Sequence, residues 1–278
     1  YDNLNSFFWL FSLDLKSSKR DTQNIIFQWI EKNNRYNSKS WKIDIIAKRV
    51  IAWISNSKLA YEDAGPVYRS KFNNIIKKQI NHLINEIEKD EWVDNKMIGC
   101  AAIILAGLSY HDKDGYLNYG LNLLKRIIKF SFDNTGFPKS RNIRQLHFYL
   151  KYFILIREWL KESQNEIPEY IDENIYYLGQ SYAFIWQNNK KDFLFNGNHE
   201  SNNEDFDFYL KRLGYSFKNQ SNELGGYAVL NNKKIVLAMD IGSSPDKKFS
   251  SNYQAGSLSF EVISNGKKLI CNSGYFQN

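Results

Sequence analysis

Apolar residues recur at every third or fourth position from Asp21 to about Trp186 of this chain, then give way to strict alternation. A period near 3.6 builds helices with one apolar face, and a period of two builds half-buried strands. The chain must therefore fold a helical region and then a sheet. Residues 21–32 place Ile25, Ile26, Trp29 and Ile30 on one stripe. Residues 40–55 follow a Ser cap with Trp41, Ile45, Ile46, Val50, Trp53 and Ile54. The pattern is clearest over 66–89, where Tyr68, Phe72, Ile75, Ile76, Ile80, Leu83, Ile84 and Ile87 keep the helical spacing. "NKMIGCAAIILAGLSY" is apolar nearly all round, which predicts an inner helix. "DGYLNYGLNLLKRIIKF", a stretch from Ser140 or Asn142 through Trp159, and one from Pro168 to about Trp186 bring the total to about seven helices. Short loops would pair them antiparallel.

After Asn188, "DFLFN", "GGYAVLNNKKIVLAMDI" and "GSLSFEVISNGKKLICNSG" read as antiparallel strands, with hairpin turns at Asn231-Asn232 and Asn265-Gly266. The expected domains are a helical one over 1–188 and a sheet domain over 189–278. A hairpin or two does not stand alone, so the sheet is expected to pack on the helices and to continue past Asn278.

Thirty-seven Lys and Arg against 30 Asp and Glu give a net charge of +7, which favours polyanionic partners. The cations are dispersed, with no run of five, which argues against a nucleic-acid arm. Cys100 and Cys271 form neither a disulfide framework nor a zinc spacing. No apolar run approaches a membrane span. The first residue is Tyr1, so the chain reads as an interior piece and a missing leader says little about compartment. No phosphate loop or nucleophile elbow is present.

The richest polar stretch is "DNTGFPKSRNIRQLHFYL", 133–150, a turn that becomes a helix. Arg141 and Arg144 fall near the helix start, where cations oppose the macrodipole. Their planar forks suit a carboxylate or sulfate, and solvated surface arginines are an equal alternative. His147 lies within the apolar stripe of Ile143, Leu146 and Leu150, so a half-buried structural imidazole competes with a catalytic one. Tyr149 and Tyr152 share a face with Asn142 and Gln145, a lining for a sugar cleft or an ordinary surface. His199 sits among Glu200, Glu204, Asp205 and Asp207 in what reads as a solvated acidic loop, with a metal site as the lesser alternative. His82 and His111 carry no evident role.

Taken in order, "FFWLFSLDL", "WKIDIIAKRVIAWI" with Ala47, Arg49 and Trp53, "DNTGFPKSRN", "LHFYLKYFILIREWL", "FLFNG", "GGYAVL" and above all "LSFEVISNGKKLICNSG" resemble the heparinase II/III-like proteins. The resemblance implies an incomplete (α/α) toroid of antiparallel helix pairs followed by an antiparallel β-sandwich, cut short at Asn278. It implies a lyase that opens an acidic, uronate-containing polysaccharide, a glycosaminoglycan or alginate for example, by β-elimination without a cofactor or metal. In such chemistry the uronate carboxylate is neutralised, a Tyr or His removes the C5 proton, and a Tyr or His protonates the leaving oxygen. Asn95 matches the family's Asn, but Lys96 stands in the place of its His. His147 and Tyr149 are the nearest equivalents of its Tyr-His pair. Gln254 stands where the sandwich carries a His, and His199 could substitute by position. The resulting site is Tyr149, His147 and His199 for proton transfer, with Asn95, Arg141, Arg144, Gln145 and Gln254 holding substrate. A periplasmic or envelope location is expected. The departures at Lys96 and Gln254 leave open a non-catalytic glycan-binding or envelope-assembly protein on the same scaffold.

Overall fold

The computed structural model describes residues 2–14, 16, 18–110, 115–187, 191–198, 203–219, 221–253 and 256–274. The helices are α1 (Asp2–Ser6), α2 (Lys19–Asn33), α3 (Ile43–Ser55), α4 (Ser57–Ala60), α5 (Pro66–Glu86), α6 (Val93–Ser109), α7 (Tyr116–Ser131), α8 (Ile143–Glu162), α9 (Glu169–Tyr182) and α10 (Glu204–Arg212). The long ones match the periodicity. One turn of π-helix, Ala183–Gln187, extends α9. The strands β1 (Glu223–Leu224), β2 (Tyr227–Asn231), β3 (Ile235–Asp240), β4 (Phe260–Ser264) and β5 (Lys267–Ile270) form one antiparallel five-stranded sheet in sequence order.

The chain forms two compact units, Tyr1–Ile128 with Glu158–Asn165, and Lys129–Arg157 with Glu166–Asn278. In the first, α6 is the inner helix its composition predicts, buried continuously from Met97 to Gly107. Its glycines admit close neighbours: a Cβ on Gly107 would stand 2.5 Å from the backbone nitrogen of Leu117. Cys100 is sealed in this core, with its Sγ 3.2 Å from the Gly120 carbonyl. Trp53 of α3 lies between Phe7 at 5.1 Å, Trp29 at 5.6 Å and Phe72 at 5.3 Å, ring centre to ring centre. Beside them Arg49 is buried. It donates to the carbonyls of Asn5 at 2.7 Å and Ser40 at 3.1 Å and to Gln79 Oε1 at 3.1 Å. Its guanidinium also lies 4.0 Å from the Trp29 ring centre.

In the second unit the sheet registers through Tyr227↔Asp240 and Ile235↔Ser264. At the β4–β5 hairpin Asn265 and Gly266 have φ of 48° and 75°. Two successive positive φ values are what the tightest twisted hairpin turn requires. Buried Glu261 of β4 clamps two segments: its Oε1 accepts from the Leu194 amide at 2.8 Å and from the backbone and side chain of Asn272 at 3.2 and 3.1 Å.

Two expectations fail in this region. "DFLFN" is irregular rather than a strand. Phe193 and Phe195 are both buried, which period-two alternation cannot distinguish from one face of a strand. The acidic stretch is not wholly loop, because Glu204 starts α10, whose Phe206 and Leu210 pack inward.

Candidate functional site

The turn before α8 organises the site. Asp133 Oδ1 accepts from the amides of Thr135 at 2.8 Å and Phe137 at 3.0 Å, closing the loop on its own backbone. Asn142 Oδ1 then accepts from the Arg144 amide at 3.0 Å and so satisfies a first-turn donor of α8.

Arg141 is turned into the protein rather than toward solvent. It is 8% exposed, and its backbone is left-handed with φ 57°. The fork donates to the carbonyls of Gly225 at 3.2 Å, Gly226 at 2.8 Å and Ser243 at 2.8 Å, and pairs with the Asp240 carboxylate. Tyr227 returns a hydrogen bond from its hydroxyl to the Arg141 carbonyl at 2.6 Å. The glycines of "GGYAVL" make room for this: a Cβ on Gly226 would meet the guanidinium at 2.8 Å. Arg141 is a tie between loop and sheet, and every acceptor it uses is the protein's own.

Tyr149 is likewise no cleft residue. It is 1% exposed, with Phe132 edge-on at 4.8 Å. The face it shares with Tyr152, Asn142 and Gln145 is buried, because the second unit packs around α8 on more sides than one apolar stripe indicates. Gln145 is buried and bonded to the Ser140 hydroxyl, so it too serves the loop.

Arg144 and His147 lie one turn apart and line the same pocket, with Tyr182, Trp186, Asp192 and Asn203 around them. The pocket holds about 30 Å3, room for a water or two and not for a sugar ring. Arg144 is exposed and His147 half-buried. The imidazole lies 4.1 Å from the Phe206 ring centre. Burial lowers its pKa from 6.5 to about 4, and Lys151 adds to the fall against the opposing pull of Asn203 and Asp207. The ring is therefore neutral at ordinary pH. Asp207 is held by the Tyr182 hydroxyl at 3.0 Å and the Trp186 indole at 3.1 Å. Burial first, then Asp207, raises the Tyr182 pKa, so that phenol stays protonated. Asn203 donates to Asp192 at 3.2 Å.

Asn95 lies in the first unit, where its amide donates to Asp90 Oδ2 at 3.1 Å. His199 and Gln254 fall outside the described residues. Among the described residues, no three His, Cys, Asp or Glu converge on a metal position, and no helix is long and apolar enough to cross a membrane. Sequence reasoning missed Tyr182, Trp186, Asp192 and Asn203. The last two lie in asparagine-rich segments without periodicity, and the first two read as ordinary members of an apolar helix face.

Residues 219–278 match the family model described as Heparinase II/III-like, C-terminal. Among solved structures the chain is similar to Heparinase III, with TM-score 0.73 and 15% identity over 92% of this chain and 48% of that one. It is similar in the same way to a mutant of heparan sulfate lyase HepC from Pedobacter heparinus, with TM-score 0.73 and 15% identity over 95% of this chain and 47% of that one. The chain thus spans about half the length of these structures, and at such identity the likeness is one of fold. No curated protein matches it. The fold class is the expected one, helix pairs of an incomplete (α/α) toroid followed by antiparallel sandwich strands. Residues 219–278 thus match the C-terminal domain of the heparinase II/III-like family, and the described helices and sheet share the fold of the heparinase III structures.

Proposed function

We propose that the chain is part of a polysaccharide lyase that opens an acidic, uronate-containing glycan by β-elimination. The observation that carries this reading is the fold shared with a heparan sulfate lyase, joined in the second unit by an exposed arginine and a neutral imidazole on one pocket. In the proposal, Arg144 binds the carboxylate or sulfate. Asn95, in the first unit, offers the glycan a separate amide contact. His147, deprotonated at neutral pH, accepts the C5 proton and, as the imidazolium, can return it to the leaving oxygen. Asn203 and Asp207 hold the imidazole and the Tyr182 phenol in place. His199 and Gln254 keep in the proposal the roles that the resemblance gives them, proton transfer and substrate contact. The pocket as it stands admits a side group of the glycan rather than a ring.

The test is incubation of the protein with heparan sulfate, chondroitin sulfate, hyaluronan and alginate, reading ultraviolet absorbance of the unsaturated uronate product. Product from one of them, lost in His147→Gln, supports the proposal. Absence of product from all four, with the protein folded, rejects it. A second reading, glycan binding without cleavage, is favoured by one observation: an imidazole held near 4 is a weak base for a carbon acid. Retention on immobilised heparan sulfate, abolished in Arg144→Ala and unaccompanied by product, is its signature.

A further inference from the structure

A pocket of the first unit lies at the opposite end of α6 from Asn95. It has about 460 Å3 of space, within the range of small-ligand sites. Fourteen residues of helix separate Asn95 from Ser109 at its rim, about 21 Å at 1.5 Å per residue. It is therefore separate from Asn95.

Its walls are aromatic and neutral. Trp53, Tyr61, Phe72 and Tyr110 provide rings, and Asn73, Ser57 and Ser109 provide amide and hydroxyl groups. The polar groups are already arranged in a chain: Tyr110 Oη donates to Asn73 Oδ1 at 3.3 Å, and Asn73 Nδ2 donates to Tyr61 Oη at 3.0 Å. Trp53 is 0% exposed, and its indole Nε1 is a buried donor with no acceptor. No lysine, arginine, aspartate or glutamate lines the pocket itself; the Arg69 guanidinium lies 5.2 Å from the Tyr61 ring centre, and the pocket's own groups are neutral. Ring faces beside neutral donors and acceptors suit a ligand with apolar C–H faces and a rim of hydroxyls.

We infer that this pocket binds a neutral sugar residue, with Tyr110 stacked on the ring and Asn73 and the serines bonded to its hydroxyls. The site would hold the protein on a glycan through a neutral residue rather than through its uronate.

Glucose, galactose and N-acetylglucosamine are the probes, followed by saturation-transfer NMR and intrinsic tryptophan fluorescence on the whole chain. At least one should bind at millimolar concentration. Ser109→Trp, which fills the pocket, should weaken it tenfold or more. Tyr110→Phe, which removes only a hydroxyl, should weaken it about threefold with an unchanged melting curve. His147→Gln should leave sugar binding intact, so loss of lyase activity and loss of this site are read separately. The inference is overturned if none of the three sugars binds the wild-type protein, if a folded Ser109→Trp binds as well as wild type, or if glucuronate binds more tightly than every neutral sugar.

Discussion

Each compact unit buries one arginine, and the two are stabilised differently. Among the described residues Arg49 has no carboxylate against it: carbonyl oxygens, one glutamine and the face of Trp29 surround the guanidinium. Burial lowers its pKa to about 9, so it remains a cation at neutral pH. Arg141 has a similar set of carbonyls and the ring of Tyr227 at 4.8 Å, with the Asp240 carboxylate in addition. In the first unit the arginine gathers backbone that helices leave unsatisfied, at α1 and before α3. In the second it links the loop before α8 to the end of β3, 99 residues later. A lone cation suffices to organise loose chain ends. Joining elements distant in sequence is done with a counter-charge.

The largest effect should come from breaking the pair. Asp240→Leu leaves Arg141 as an uncompensated buried charge and should lower stability by about 3–5 kcal/mol in urea unfolding, while Arg141→Met combined with Asp240→Leu recovers much of it. Equal losses in the single and double variants would refute the pairing. Arg49→Met should cost about 2–3 kcal/mol, because the Asn5 and Ser40 carbonyls and Gln79 lose their donor. Here no second substitution restores the loss, which sharpens the contrast between the units.

A third measurement asks whether the second unit tolerates a new unpaired cation. Burial holds His147 near 4 against an ordinary 6.5, so between those values the unfolded chain binds more protons than the folded protein. The neutral ring's contribution is complete above pH 6.5 and is lost as pH falls toward 4, up to about 3 kcal/mol. His147→Gln should flatten that slope, and an unchanged slope would show that another group carries it. The smallest effect is expected at the β4–β5 turn. Gly266→Ala has open space for its Cβ but keeps φ at 75°, so it should cost about 1 kcal/mol by strain alone.

Much of the fold was legible because periodicity survives in the sequence. The buried run of α6 and the Asn265-Gly266 hairpin follow from local rules. The motif "LSFEVISNGKKLICNSG" has its physical sense in Glu261 and Asn272, which bond to each other across β4 and the end of β5. The site was less legible. Arg144 and His147 share one pocket as the helical spacing allows, and their roles there belong to the proposal. Arg141, Tyr149 and Gln145 looked like a polar wall and are interior, while Asp192 and Asn203 carried no signal.

The sequence by itself determined element type, the inner position of α6 and the turn chemistry, since each depends on residues within about a dozen positions of one another. Only the tertiary structure decided which polar side chains meet water and which meet Asp240, Glu261 or Asp207. Burial of a hydrogen-bonding group depends on what packs over it, and for Arg141 that cover arrives from strands some hundred residues downstream.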